Sequence, residues 1–258
     1  MRRKNSFFDQ PKKVLIIGFG RMGKLLVKTF LNKTKALVFV LSRKKRISKQ
    51  KRLCFLNNWR NLPKVDLIIP CVPISVFEKC VKKINKNIKS ACICLDVCSV
   101  KVYPVKIMKK LLPKYIKIIA SHPMFGPDSY KINRGLKNLK IVLNNTTANK
   151  KDYQSLKRFF KSLGLKIIEI NPEKHDLYMA NSLGFSYLVG KINNLLNIKK
   201  TSIDTYDFEL LLEQAKIVAC DSDQLFLDMQ KYNPFAKKIR NKFLRTGRQL
   251  INKLNKQV

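Results

Sequence analysis

The apolar positions of this chain come in short bursts separated by polar turns, and their spacing changes character twice. Residues 12–17, 36–41, 66–70, 92–97 and 116–120 are near-continuous apolar runs. Runs without alternation predict strands buried on both faces, which parallel sheets require. Between them, residues 22–31, 74–84 and 102–112 carry apolar residues at helical spacing. Strands 139–143 and 165–170 flank a further helix over 152–163. Parallel neighbours need crossover helices, so the alternation predicts an α/β fold with a doubly wound parallel sheet of the Rossmann type. After Asn171-Pro172 the strand pattern stops, and 173–196, 206–232 and 234–254 repeat at helical spacing. The expectation is an α/β domain over 1–171 and an all-helical domain over 172–258.

No apolar run approaches the roughly 20 residues of a membrane span. The start, Met1-Arg2-Arg3-Lys4, could open a signal peptide, but the apolar run Val14-Leu15-Ile16-Ile17 passes straight into Gly18-Phe19-Gly20 without a small-residue cleavage site. The segment ahead of the first strand is also short for a transit peptide. A soluble, unprocessed, cytoplasmic protein is expected. The seven cysteines are an odd number without zinc-site pairing, and they read as small core residues in a reducing compartment, with no metal. The net charge of +38, from 54 Lys and Arg against 16 Asp and Glu, raises the question of nucleic acid. The cations are scattered from end to end, however, and no nucleic-acid motif accompanies them, so they read as solvated faces. A basic surface would still steer anionic small molecules.

Gly18-Phe19-Gly20-Arg21-Met22-Gly23 satisfies G-x-G-x-x-G, with a strand before it and a helix after. Gly18 suits the tight turn, Gly20 lets the backbone approach a pyrophosphate, and Gly23 lets helix and strand pack closely. Arg21 and Met22 open the helix whose N-terminus faces the phosphates. The second strand runs into Ser42-Arg43-Lys44-Lys45-Arg46, where an NAD enzyme normally places an acid on the ribose 2′-hydroxyl. A hydroxyl and cations without an acid suit a 2′-phosphate, so Ser42 and Arg43 point to NADP. The same reading explains the dense cation cluster from Arg43 to Arg52.

Only two histidines occur, His122 and His175. His122 follows a predicted parallel strand in Ser121-His122-Pro123-Met124-Phe125-Gly126-Pro127, and ligands bind at the carboxyl ends of such strands. This segment resembles the substrate loop of prephenate and arogenate dehydrogenases. Asp96-Val97-Cys98-Ser99-Val100-Lys101 resembles the family's segment upstream of that loop. His175-Asp176 with Ala180 and Ser182 resembles the start of its helical domain, and Asp221 through Leu225-Phe226 to Tyr232-Asn233-Pro234 resembles the plant-like branch. The resemblance implies that His122 accepts the proton of a cyclohexadienyl hydroxyl while hydride leaves the same carbon for the nicotinamide. Loss of carbon dioxide then makes the ring aromatic. A neutral imidazole, with an ordinary pKa of about 6.5, suits that task. Ser99 would hydrogen-bond within the cluster, or else serve as an ordinary helix N-cap.

Ser182, Tyr187, Lys191 and Asp221 are the substrate-binding candidates that the resemblance implies. Many relatives carry His where this chain has Tyr187 and Gly-Arg where it has Gly190-Lys191. Glu209 falls where prephenate users place an Arg, and Asp221 falls where arogenate users tend to have an acid. A carboxylate at 221 could pair with the ammonium group of arogenate, so arogenate is favoured over prephenate. The resemblance also implies a homodimer formed through the helical domain, and no chorismate mutase module is expected. Two alternatives stay open: another Rossmann-type dehydrogenase, and a nucleic-acid-binding protein on a decayed dehydrogenase scaffold.

Overall fold

A computed structural model describes residues 11–60 and 62–256, which form two compact units dividing between Pro172 and Glu173. The first unit runs β1 Lys13–Ile17, α1 Arg21–Lys33, β2 Leu37–Leu41, β3 Leu53–Leu56, β4 Leu67–Pro70, α2 Phe77–Asn87, β5 Cys92–Leu95, α3 Val102–Leu111, β6 Ile116–Pro123, α4 Pro127–Ile132, β7 Lys140–Asn145, α5 Lys150–Ser162 and β8 Lys166–Glu169. The strands make one eight-stranded sheet in the order β3-β2-β1-β4-β5-β6-β7-β8. This is the doubly wound Rossmann sheet, with its order reversing between β1 and β4. Every pairing is parallel except β6 with β7, which is antiparallel. The expected doubly wound parallel sheet is thus present, with this one pairing reversed. The reversal needs no crossover helix on a sheet face, so only the short α4 stands between β6 and β7.

The central strands are buried on both faces, as their apolar runs require: Leu67–Pro70 and Cys92–Leu95 are buried at every position. Phe30 of α1 stacks on Phe159 of α5 with ring centroids 5.7 Å apart, closing one face of the core. β3 lies outside the sequence expectation. It is a short edge strand whose residues are at most half-buried, so its pattern carries no core signal. The cysteines divide by position. Cys80, Cys92, Cys94 and Cys98 are buried, but Cys54 and Cys220 are exposed and so are not core residues. Burial pushes the Cys80 and Cys92 thiols up to about 12, which leaves them protonated and inert at neutral pH.

The second unit holds α6 (Pro172–Asn181), α7 (Leu183–Leu196), α8 (Tyr206–Ala219), α9 (Asp223–Tyr232) and α10 (Ala236–Leu254). Two helices expected to be continuous are each broken. Ser182 departs from helical geometry between α6 and α7, and Ser222 caps α9 by accepting from the Leu225 N–H at 3.2 Å. The core is small: Tyr187, Val218 and Met229 are buried, with Leu183, Leu225 and Phe226 against them. At Gly190 an added Cβ would lie 2.8 Å from Val218 Cγ2, so the missing side chain lets α7 and α8 approach closely. Among the described residues no helix is long and apolar enough to cross a membrane.

Candidate active site

The glycine loop is built as its spacing demands. Gly18 takes φ +106°, and a Cβ there would lie 2.3 Å from the Cys71 carbonyl oxygen at the end of β4. A Cβ on Gly23 would meet the Gly18 carbonyl oxygen at the same 2.3 Å. Gly20 differs, since a Cβ on it would meet nothing within 4 Å. Gly18 and Gly23 therefore close the turn, and Gly20 leaves open space in front of the backbone. Gly20 is also the N-cap of α1 and offers no side-chain cap, so first-turn N–H groups stay open to an anion. The Met22 side chain packs against the core, which leaves its backbone as the ligand-facing part. The Arg21 guanidinium is ion-paired with Asp128 of α4, tying the start of α1 to the segment after His122.

At the end of β2, the Ser42 N–H donates to the Leu56 carbonyl at 2.9 Å and closes the β3 pairing. Ser42 is half-buried and Arg43 exposed. Arg46 lies over the Phe19 ring of the glycine loop, 5.1 Å from its centroid, and Phe19 packs edge-on against Phe55 of β3. Lys24 of α1 lies over the same ring at 5.9 Å, so the structure brings two cations onto Phe19. Arg52 does not belong with them: it donates to the Leu31 and Thr34 carbonyls, each at 2.6 Å, and so caps the end of α1. The cation cluster is therefore split between two tasks, and sequence spacing could not separate them.

His122 lies within β6 rather than in a loop after it, opposite Val142 of the antiparallel β7, and is only 6% exposed. The residue before it is gripped by buried groups from the end of β5. The Ser121 N–H donates to Asp96 Oδ2 at 3.2 Å, and its hydroxyl donates to the Asp96 carbonyl. Lys101 Nζ donates to the Ser121 carbonyl and forms an ion pair with Asp96. Ser99 is not the N-cap of α3, a position that Lys101 takes, and its Oγ is buried without a hydrogen-bond partner. The hydroxyl therefore keeps its hydrogen-bonding capacity at the carboxyl end of β5.

In the helical unit the Tyr187 hydroxyl donates to Asp221 Oδ2, and Lys191 pairs with Asp223. Ser182 is exposed, with its Oγ donating back to the Tyr178 carbonyl at 2.8 Å. Glu209 sits in an exposed pair with Lys200. His175, 1% exposed, holds Asp176 Oδ1 at 2.7 Å through Nδ1, and the Asp176 carbonyl accepts from Asn233 Nδ2 at 2.7 Å. The His175-Asp176 and Tyr232-Asn233-Pro234 segments thus meet in space, and His175 reads as a structural histidine.

A family model described as "prephenate dehydrogenase, nucleotide-binding domain" matches residues 37–169, just over half of the chain. The chain belongs to the prephenate dehydrogenase family. A second model, "TYRAAT1-like, C-terminal domain", matches residues 192–258. Arogenate dehydrogenase 2, chloroplastic, of Arabidopsis thaliana is 28% identical over 232 residues, covering 87% of this chain and 64% of that protein. Arogenate dehydrogenase 1, chloroplastic, of the same plant is 30% identical over 239 residues, covering 89% and 37%. The chain therefore spans less than two thirds of either plant relative. The solved prephenate dehydrogenase of Aquifex aeolicus, in complex with hydroxyphenyl propionate and NAD+, superposes with a TM-score of 0.74 at 18% identity, covering 95% of this chain and 91% of that one.

As a prephenate dehydrogenase family member this chain is expected to take a nicotinamide cofactor, and its glycine cradle fits one: Gly20 leaves the space and α1 the open N–H groups. Two features of the site were beyond sequence reasoning. Arg46 is one cation among many until Phe19 is seen beneath it. The grip of Asp96 and Lys101 on Ser121 is the other, with one signal in the chain itself: a lysine among apolar neighbours such as Val100 and Val102 hints at a buried pair.

Proposed function

We propose that this chain is an NADP-dependent dehydrogenase that oxidises and decarboxylates arogenate, prephenate or both, in tyrosine biosynthesis. The observation that carries the reading is His122, buried at the carboxyl end of β6 with its backbone neighbour anchored by Asp96 and Lys101. Such a group can accept a hydroxyl proton without solvent competing for its ring nitrogen. Ser99 Oγ, unsatisfied in the chain itself, would hold the reacting hydroxyl or the imidazole. When bound, the nicotinamide ring supplies the hydride acceptor. As the carbinol carbon loses hydride, His122 takes the hydroxyl proton and the carbon becomes a carbonyl. The ring carboxylate then leaves as carbon dioxide, and its bonding pair completes the aromatic ring. No metal is needed for these steps.

The phosphates would rest on Gly18, Gly20 and Gly23 and on the backbone of Arg21 and Met22, with Ser42, Arg43 and Arg46 around the ribose 2′-position. An acid is missing there and three donors are present, which supports NADP over NAD. The expected result is kcat/KM with NADP higher by roughly tenfold or more, because each charge-assisted bond to the 2′-phosphate contributes about 1.5–3 kcal/mol. Equal efficiencies with the two cofactors would count against the preference.

Asp221 is the side chain we assign to the ammonium group of arogenate. Tyr187 donates to one of its oxygens and so orients it, and a carboxylate is the group whose charge complements an ammonium. Ser182 and Lys191 complete the proposed substrate set. Asp221→Asn should lower kcat/KM for arogenate by roughly 10-fold or more while leaving prephenate within about twofold. An unchanged ratio of the two substrates would remove Asp221 from recognition.

The helical unit leaves Leu195 85% and Ile203 88% exposed, along with Leu250 and Ile251 of α10, which supports a homodimer that covers them. Seven cysteines without a disulfide support the cytoplasm as its compartment.

A further inference from the structure

We infer that the buried Asp96–Lys101 pair is the positioning device of His122, taking over one edge of β6 at the point where its neighbour strand stops. The inference rests on the dehydrogenase reading for its kinetic consequence, but its geometry stands apart from that reading. The β5–β6 ladder runs from Cys92 opposite Ile116 to Leu95 opposite Ile119 and ends there. β6 itself continues to Pro123, with Ser121 opposite Leu143 and His122 opposite Val142 on the β7 side. Past Ile119 the other edge of β6 has no β5 residue opposite it. Asp96 and Lys101 fill that gap: a carboxylate oxygen takes the Ser121 N–H and an ammonium takes the Ser121 carbonyl. A second carboxylate oxygen holds the ammonium and the Cys98 N–H, at 3.0 Å for the latter. All the groups are dry, with Asp96 and Ser121 0% and Lys101 1% exposed.

A charged pair in such a place is not explained by stability alone. Desolvating two ions offsets most of their attraction, and apolar side chains of similar volume generally do as well. Apolar side chains, however, could not take the N–H and carbonyl of Ser121, which would be left buried and unpaired. The pair also specifies one geometry, because donor and acceptor cannot exchange places. Successive residues of a strand point to opposite faces, so any rotation of the Ser121 peptide passes directly into the direction of the His122 side chain. Sheet hydrogen bonds on the β7 edge hold only one side of that peptide. The Asp96–Lys101 pair holds the other.

The test uses the full chain in two variants. Asp96→Asn with Lys101→Gln ends the ion pair but keeps polar groups facing the Ser121 peptide, and Asp96→Asn with Lys101→Met neutralises the pair without leaving one ion alone. Chain labelled with 15N-histidine shows two sets of ring-nitrogen signals, and the set absent from His122→Asn belongs to His122. In both variants the His122 signals should move while those of His175 stay, and kcat should fall roughly 10- to 100-fold with KM for the cyclohexadiene within about twofold. His122 signals coincident with the parent's in folded variants overturn the inference. Should the Met-containing variant not fold, Asp96→Asn with Lys101→Gln decides on the same criterion. A parent chain that oxidises neither cyclohexadiene would defeat the dehydrogenase reading, and the ring signals would still judge the positioning role.

Discussion

His122→Asn is expected to lower kcat by roughly 10²- to 10⁴-fold, the contribution of a positioned general base, while the dissociation constant for NADP stays within about twofold. Asparagine is close to histidine in size and keeps hydrogen-bonding groups, so the buried site opposite Val142 remains filled. It has no titratable nitrogen and cannot hold the hydroxyl proton. The glycine cradle is formed by β1, α1 and the end of β4 and does not involve β6, which is why cofactor binding should survive. Fluorescence titration with NADPH and steady-state kinetics separate the two quantities. A variant retaining kcat within about threefold of the parent would remove His122 from the proton transfer.

Gly18→Ala and Gly20→Ala should part company by several kcal/mol. At Gly18 an alanine combines φ +106° with a Cβ 2.3 Å from the Cys71 carbonyl oxygen, and neither backbone segment is free to move. β1 and β4 are hydrogen-bonded there, the Cys71 N–H donating to the Ile17 carbonyl at 2.7 Å. Left-handed strain of about 1–3 kcal/mol and an overpacking penalty of about 1–3 kcal/mol give an expected loss of roughly 2–6 kcal/mol in chemical denaturation. Gly20→Ala meets no atom within 4 Å, so its stability should stay within about 0.5 kcal/mol of the parent. Its methyl group would instead occupy the space proposed for the pyrophosphate, weakening cofactor binding roughly tenfold or more, since about 1.4 kcal/mol is already tenfold. Equal stabilities for the two variants would contradict the different roles assigned to the two glycines.

Much of this was legible because burial on both sheet faces writes an unbroken apolar run into the sequence. β1, β4 and β5 were read from such runs, and the glycine loop from three residues whose spacing has few other uses. β3 was not, because an edge strand at most half-buried has no such signature. Helix breaks at Ser182 and Ser222 were also missed. The apolar spacing continues across both, and a serine in mid-pattern does not announce a change of axis. His122 lies at the end of a buried strand, on β6 itself, whereas the two prolines and the glycine that follow it read as a loop. On β6 Pro123 is the last paired residue, opposite Ile141 at the start of β7, where a missing N–H can be tolerated.

What the sequence alone determined are the features that depend on near neighbours along the chain: the strand and helix periods, the glycine turn, and the kinds of groups available for chemistry. Only the tertiary structure decided which cation stacks beside the glycine loop and which caps a helix, that Tyr187 orients Asp221, and that Asp96 and Lys101 grip Ser121. The physical reason is common to all three. Hydrogen bonds and ion pairs between residues far apart in sequence leave no period in it, because the partner's identity depends on where strands end and which edges they expose.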